Sequence, residues 1–114
     1  MIPKDVALNV DEKRIDVEVS SLPSTHQIFD IGIESVVNIS TEIKKAGTVI
    51  LNGPAGVFEL KGFKFGTLEI INACAESDAF VVVGGGHTAT LINNSGLAKK
   101  IFMGTKFKIG FLIG

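Results

Sequence analysis

A chain of 114 residues has room for one domain with a modest core. Hydrophobic residues make up 46% and charged ones 20%, a globular balance, and the net charge of −1 gives no reason to expect nucleic acid or an anionic membrane as partner. The single Cys74 excludes an internal disulfide, no apolar run reaches spanning length and no apolar signal core opens the chain, so a cytoplasmic setting is the default expectation.

Asp5–Val10 and Arg14–Val19 read as two short strands, with the polar stretch Asn9 to Lys13 turning between them. Ser20–Ser24, which holds Pro23, is a loop, and His26 falls in a loop beyond it. A helix then runs to Lys45. Asp30 or Ser35 is the candidate cap, and Val36, Val37, Ile39 and Ile43 form the buried stripe. Lys44 and Lys45 suit the negative end of the helix dipole, and Gly47 stands where a C′ glycine belongs.

Thr48–Leu51 is the next strand, and Gly66–Ala75 a helix with Leu68, Ile70, Ile71 and Cys74 inward. Ala79–Val83 has almost no polar residue, the pattern of a strand buried on both faces. Thr88–Asn94 is a helix closed near Gly96, and Lys100–Met103 starts another strand. Strands alternating with helices imply a parallel sheet with right-handed crossovers. The tail is apolar to Gly114, with Phe107, Ile109, Phe111 and Ile113 at alternate positions. It reads either as a strand of the fold or as the surface where a larger domain, or a second copy of the chain, would join.

Two glycine turns carry the chemical signal. Gly84-Gly85-Gly86-His87-Thr88 lies between a buried strand and a helix start. Backbone N–H groups and the positive end of a helix dipole there suit a phosphate, and glycine lets the main chain come close. The alternative is a tight strand-to-helix connection with no ligand. Asn52-Gly53-Pro54-Ala55-Gly56-Val57-Phe58-Glu59 also follows a strand. Asn52 offers an amide to a phosphate oxygen, Pro54 stiffens the loop, and Glu59 can accept hydrogen bonds from ribose hydroxyls. Taken alone, this stretch is equally an ordinary Gly-Pro turn with a solvated glutamate. No His/Cys cluster has zinc-ligand spacing, and no nucleophile triad or Walker-type loop is identifiable, so no residue is assigned as catalytic or metal-binding.

Together the two segments, in this order and separated by one helix and one strand, resemble phosphoglycerate kinase. That family carries Asn-Gly-Pro-x-Gly-Val-Phe-Glu followed by Gly-Gly-Gly-(Asp/His)-(Ser/Thr). Phe29-Asp30-Ile31-Gly32-Ile33-Glu34 resembles the family's Asp-Ile-Gly segment, which starts a helix, and His87 in place of Asp resembles the archaeal branch. The resemblance runs from about Val6 to about Ile101. It implies an α/β fold with a Rossmann-like parallel sheet and flanking helices, residues 1–114 forming a single partial domain, the C-terminal nucleotide-binding half of the kinase.

The implied reaction is phosphoryl transfer between 1,3-bisphosphoglycerate and ADP, with Mg-ADP/ATP as substrate. By the same resemblance Asn52 approaches the phosphates, Pro54 the ribose and Glu59 the ribose hydroxyls. Gly85, Gly86 and Thr88 bind the terminal phosphates. The family's metal-contacting Asp is His87 here, so metal coordination is not carried over to it. The family's basic phosphoglycerate patch, its nucleotide-contacting lysines and its second triple-glycine turn find no match; at Met103-Gly104-Thr105-Lys106-Phe107 only Gly104 is in register. The chain alone is therefore expected to be inactive, with the missing kinase half or self-association as its protein partner. Two rivals stand beside this reading: a non-catalytic relic or self-associating module of the same fold, and an unrelated Rossmann-like domain for another phosphate ligand.

Overall fold

Alternating apolar residues build the first sheet. In the computed structural model, which describes residues 1–96, β1 (Asp5–Val10) and β2 (Lys13–Glu18) form an antiparallel hairpin, from Asp5 opposite Glu18 to Val10 opposite Lys13. Asp11 and Glu12 take φ of 52° and 67°, the conformation whose twist matches a two-residue hairpin. β3 (Ile28–Ile31) pairs antiparallel along the other side of β1, giving the order β2-β1-β3. Val6, Ala7 and Leu8 of the central strand are buried.

The helix expected to start within Phe29–Glu34 does so at Ile33, but a strand, β3, precedes it. The segment's first three residues are strand, because Val6 and Ala7 pair with Ile31 and Asp30, and the helix α1 (Ile33–Lys45) begins only after Gly32. The cap is corrected. Gly32 has no side chain to offer, and the orphan donors are met by Asp5 of β1, whose carboxylate accepts the Glu34 N–H at 3.0 Å and the Ser35 N–H at 2.8 Å. Ser35 lies within the first turn and donates its hydroxyl to Asp5 at 2.6 Å. Gly32 cannot carry a Cβ, which would run into that carboxylate. Val36 and Ile43 are buried, but Val37, one position further round the helix, is 58% exposed and leaves the expected stripe. Ala46 ends the helix in extended conformation, its N–H returning to the Ile43 carbonyl at 3.1 Å, so Gly47 is not needed in the left-handed region.

The second sheet is parallel. β4 (Thr48–Asn52) and β5 (Phe80–Gly84) run in register from Thr48 beside Phe80 to Asn52 beside Gly84, linked by α2 (Phe65–Glu76). α3 (Gly86–Ser95) follows and closes on Gly96 at φ 76°, a left-handed stop suited to glycine. The core joins Ile43, Ile71, Cys74, Ala79, Val81, Val83, Leu91 and Ile92, with Leu68 and Ile70 packed against it. Among the described residues the parallel sheet is thus a pair of strands, and the strands before α1 belong to a separate antiparallel sheet. The expected strand at Lys100–Met103 and the apolar tail lie outside the described residues.

Asp30, which the sequence leaves without a partner, is the buried hub between the two sheets. It accepts from Arg14 Nη1 at 2.8 Å, from the Gly66 N–H at 2.9 Å and from its neighbour Ile31 N–H at 2.8 Å. It therefore caps α2, not α1. Asp30→Ala would leave the largely buried Arg14 guanidinium short of a partner, at a cost of about 3–5 kcal/mol. Urea unfolding should read that loss, and Asp5→Ala should cost about 1–2 kcal/mol through its cap alone.

Asp5 also gives an acid signature. Burial by itself would raise its carboxyl, but the Ser35 hydroxyl and the Ser35 and Glu34 N–H groups outweigh it and hold the group below its ordinary value. The unfolded chain therefore binds this proton more tightly than the folded one. The contribution is complete above the ordinary carboxylate range and is lost as pH falls below it toward the lowered folded value. Asp5→Asn should flatten the acid limb of a stability-versus-pH curve there, and an unchanged limb would contradict the cap.

Candidate functional site

Register determines what the two glycine turns can do. Because Asn52 and Gly84 are paired neighbours at the carboxyl ends of parallel strands, the turns leaving those strands lie side by side. Ligands of open α/β sheets sit at this end. The Asn52 amide lies over the second turn: a Cβ on Gly84 would sit 3.1 Å, and one on Gly85 3.3 Å, from its Oδ1. Gly53 and Gly85 both have φ of 90°, which side-chain-bearing residues rarely adopt. Gly86, the first residue of α3, faces open space, with nothing within 4 Å of where its Cβ would be.

A hydrogen bond ties the turns together. The Gly53 N–H donates to Thr88 Oγ1 at 2.9 Å, and Thr88 is fully buried. Two residues on, the Ala55 N–H donates to Thr67 Oγ1, also at 2.9 Å. The far end of the loop is fixed by the Val57 N–H on the Phe29 carbonyl at 2.8 Å.

Glu59 and His87 face each other across the mouth of an open cleft of about 700 Å³, lined also by Phe58, Lys64, Gly86 and Leu91. Glu59 Oε1 and His87 Nδ1 are 4.0 Å apart and both side chains are well exposed, so any ion pair between them is a weak, screened one. The His87 ring meets Phe58 edge-on at 6.0 Å. Glu59 and Gly86 thus line one cleft, Asn52 and Gly85 meet each other at the ends of β4 and β5, and Pro54 lines a separate shallow groove against β3. Lys64 and Thr67 were not singled out from sequence. Lys64 is the N-cap of α2 and carries no motif signal, and a threonine one helix away shows its hydrogen bond only once the loop is folded. Among the described residues no group of three or more His, Cys, Asp or Glu side chains is arranged to hold a metal ion.

A phosphoglycerate kinase family model matches residues 1–105. The chain belongs to the phosphoglycerate kinase family. It is 45% identical over 117 aligned positions to the phosphoglycerate kinase of Methanosarcina mazei, covering 99% of this chain and 28% of that protein. Against the Methanopyrus kandleri enzyme the identity is 47% over 87 residues, covering 76% of this chain and 21% of that protein. Among solved structures, phosphoglycerate kinase from Coxiella burnetii superposes with a TM-score of 0.81 at 32% identity, over 88% of this chain and 27% of that one. The Pyrococcus horikoshii OT3 phosphoglycerate kinase gives 0.75 at 30%, over 97% and 26%. The chain thus spans about a quarter of the length of its family relatives.

The last two glycines of the turn, Gly85 and Gly86, differ in kind. Gly85→Ala forces a Cβ into positive φ beside the Asn52 amide and should destabilise by about 1–3 kcal/mol. Gly86→Ala puts a methyl into open space at a helix start and should leave thermal unfolding essentially unchanged. Equal losses from both would contradict this geometry.

Proposed function

We propose that this chain forms the adenine-nucleotide-binding portion of a phosphoglycerate kinase, which transfers a phosphoryl group between 1,3-bisphosphoglycerate and MgADP. The observation that carries the reading is the pairing of Asn52 with Gly84, which aligns both glycine turns at one sheet end with α3 opening beneath them. In this reading the Asn52 amide and the backbone N–H groups of Gly85, Gly86 and Thr88 bind the phosphates at the positive end of α3. The Thr88 hydroxyl accepts from Gly53, so its part in phosphate binding falls to its main chain. Pro54 borders the ribose and Glu59 accepts from the ribose hydroxyls. The open space at Gly86 fits a phosphate approaching the main chain. Magnesium belongs to the nucleotide substrate and supplies charge neutralisation across the phosphate oxygens.

No helix of the described residues is long and apolar enough to cross a membrane. A second observation bears on partners. Ile50, in the middle of β4, is 76% exposed, and β4 pairs only with β5 among the described residues. An apolar strand edge of this kind recruits further strands. It favours association, either with the rest of the kinase or, on the rival reading, with a second copy of a non-catalytic module.

The chain alone should show no phosphoglycerate kinase turnover, and chain-dependent ATP formation in a coupled assay would overturn that. MgADP should bind with millimolar affinity, on the order of −4 kcal/mol. Amide shifts in an NMR titration should map to Asn52–Glu59 and Gly84–Thr88. Gly86→Val should abolish them with the fold intact, and His87→Ala should have a milder effect. Shifts confined to other regions, or none, would refute nucleotide binding by this piece.

A further inference from the structure

We propose that Thr67 and Thr88 are a matched pair of positioning residues that hold the 52–59 loop in its ligand-ready shape. Each is the third residue of its helix, α2 and α3 respectively, and each is essentially fully buried, at 1% and 0% exposure. Each hydroxyl accepts one backbone N–H of the loop at 2.9 Å, Thr88 from Gly53 and Thr67 from Ala55. The residue between those two donors is Pro54, which has no N–H to satisfy. Both backbone donors of the Gly53-Pro54-Ala55 turn are thus met by side chains from two different helices. The hydroxyls are buried and costly to leave unpaired, so Thr67 and Thr88 have no cheap alternative to these bonds, whereas Gly53 is half-buried and Ala55 exposed.

The consequence is directional. Gly53 sits at φ 90°, a conformation glycine adopts freely but does not by itself prefer over its mirror region. The Thr88 hydroxyl selects one conformation and fixes the loop to the Gly84–Thr88 turn. The Thr67 hydroxyl fixes it to α2, whose N-cap Lys64 lines the same cleft as Glu59. Asn52 and Glu59 flank the clamped segment on either side, so the two hydroxyls, together with the Val57 bond to the Phe29 carbonyl, constrain their separation and themselves need touch no ligand. This inference rests on the proposed nucleotide role of the loop, but the clamp itself has a readout that does not.

The test compares Thr67→Val and Thr88→Val, which keep shape and lose the hydroxyl, with Thr67→Ser and Thr88→Ser, which keep the hydroxyl. In the unaltered chain the Gly53 and Ala55 amides should exchange slowly although they lie in a loop. Thr88→Val should speed Gly53, and Thr67→Val should speed Ala55, each on the order of fivefold or more, and each serine variant should restore protection. MgADP affinity should fall several-fold in the valine variants and recover in the serine ones. Fast exchange at both amides in the unaltered chain would overturn the clamp even where a valine variant fails to fold. Faster exchange with unchanged MgADP affinity would overturn the positioning role and leave a purely structural bond. An unaltered chain that gives no MgADP shifts would overturn the nucleotide reading instead, while protected amides that respond to the valine variants would still support the clamp.

Discussion

The buried pairing of Asp30 with Arg14 is the constraint on which the rest of the arrangement depends. Arg14 comes from β2, Asp30 from β3, and the Gly66 N–H that shares the same carboxylate oxygen opens α2. Arg14 also reaches Asp16 at 2.8 Å and the carbonyls of Gly62 and Ile31, both at 2.8 Å, while its guanidinium lies 5.3 Å from the centre of the Phe65 ring. Burial would lower the guanidinium's affinity for its proton, but Asp16 and Asp30 outweigh it and raise it. A buried ion pair is weak evidence of net stability, since desolvation offsets much of the attraction. Its effect here is specificity: one carboxylate requires a strand, a hairpin and a helix start to arrive at one point. Two glycines record that demand. A Cβ on Gly56 would stand 2.6 Å from Asp30 Oδ1 and from the Phe29 carbonyl, and one on Gly66 would strike the same carboxylate.

The candidate site inherits its shape from that point. α2 is pinned at its N-terminus by Asp30, which fixes Lys64 and Thr67 immediately around it. The 52–59 loop leaves β4, is held by Thr88 and Thr67, and is then stitched to β3 at Phe29, next to Asp30 in sequence. The loop is therefore continuous with β4 and anchored to three further elements, α3, α2 and β3, by one of these hydrogen bonds each. Such a loop can present Asn52 and Glu59 with little entropy left to lose on binding. The exposed pair of Glu59 and His87 is different in kind, because solvent screens it and neither side chain is buried.

How much of this the sequence discloses depends on the range of the interaction. The hairpin, α2, β5 and the closure of α3 at Gly96 were legible from local pattern, because alternation and glycine punctuation act within a few residues. Both glycine turns are legible as turns leaving strand ends, and their lateral alignment follows from the parallel pairing of β4 with β5. What was not legible is every partner across a long loop. Asp5 lies about 30 positions from the helix it caps, and Gly66 36 positions from Asp30. An aspartate or serine near a helix start reads as that helix's cap, so Asp30 and Ser35 both stand as candidates for α1, whereas the fold gives Asp30 to α2. β3 was missed because it is short, carries a polar residue at its centre and precedes the glycine of a helix start.

The two halves are held by different forces, and that explains the remaining mismatch. Around the antiparallel sheet the fixed points are directional: Asp5 to Ser35, Arg14 to Asp30. Around the parallel pair they are apolar, with Val81 and Val83 fully buried beneath Ile71, Leu91 and Ile92. The run Ala79–Val83 reads as a strand covered on both faces, and β5 there alternates between half-buried and buried, while β4 alternates between exposed and half-buried. Full burial of a side chain like Ile50 contributes about 1.5–3 kcal/mol, more than an exposed pair such as Glu42 with Lys45. Among the described residues β4 therefore lacks apolar cover for Ile50 and a second strand partner; a neighbouring strand would supply the edge hydrogen bonds, and an element packed on the sheet face the cover. Because β4 also delivers Asn52, whatever lies against that edge acts on the site through the same strand.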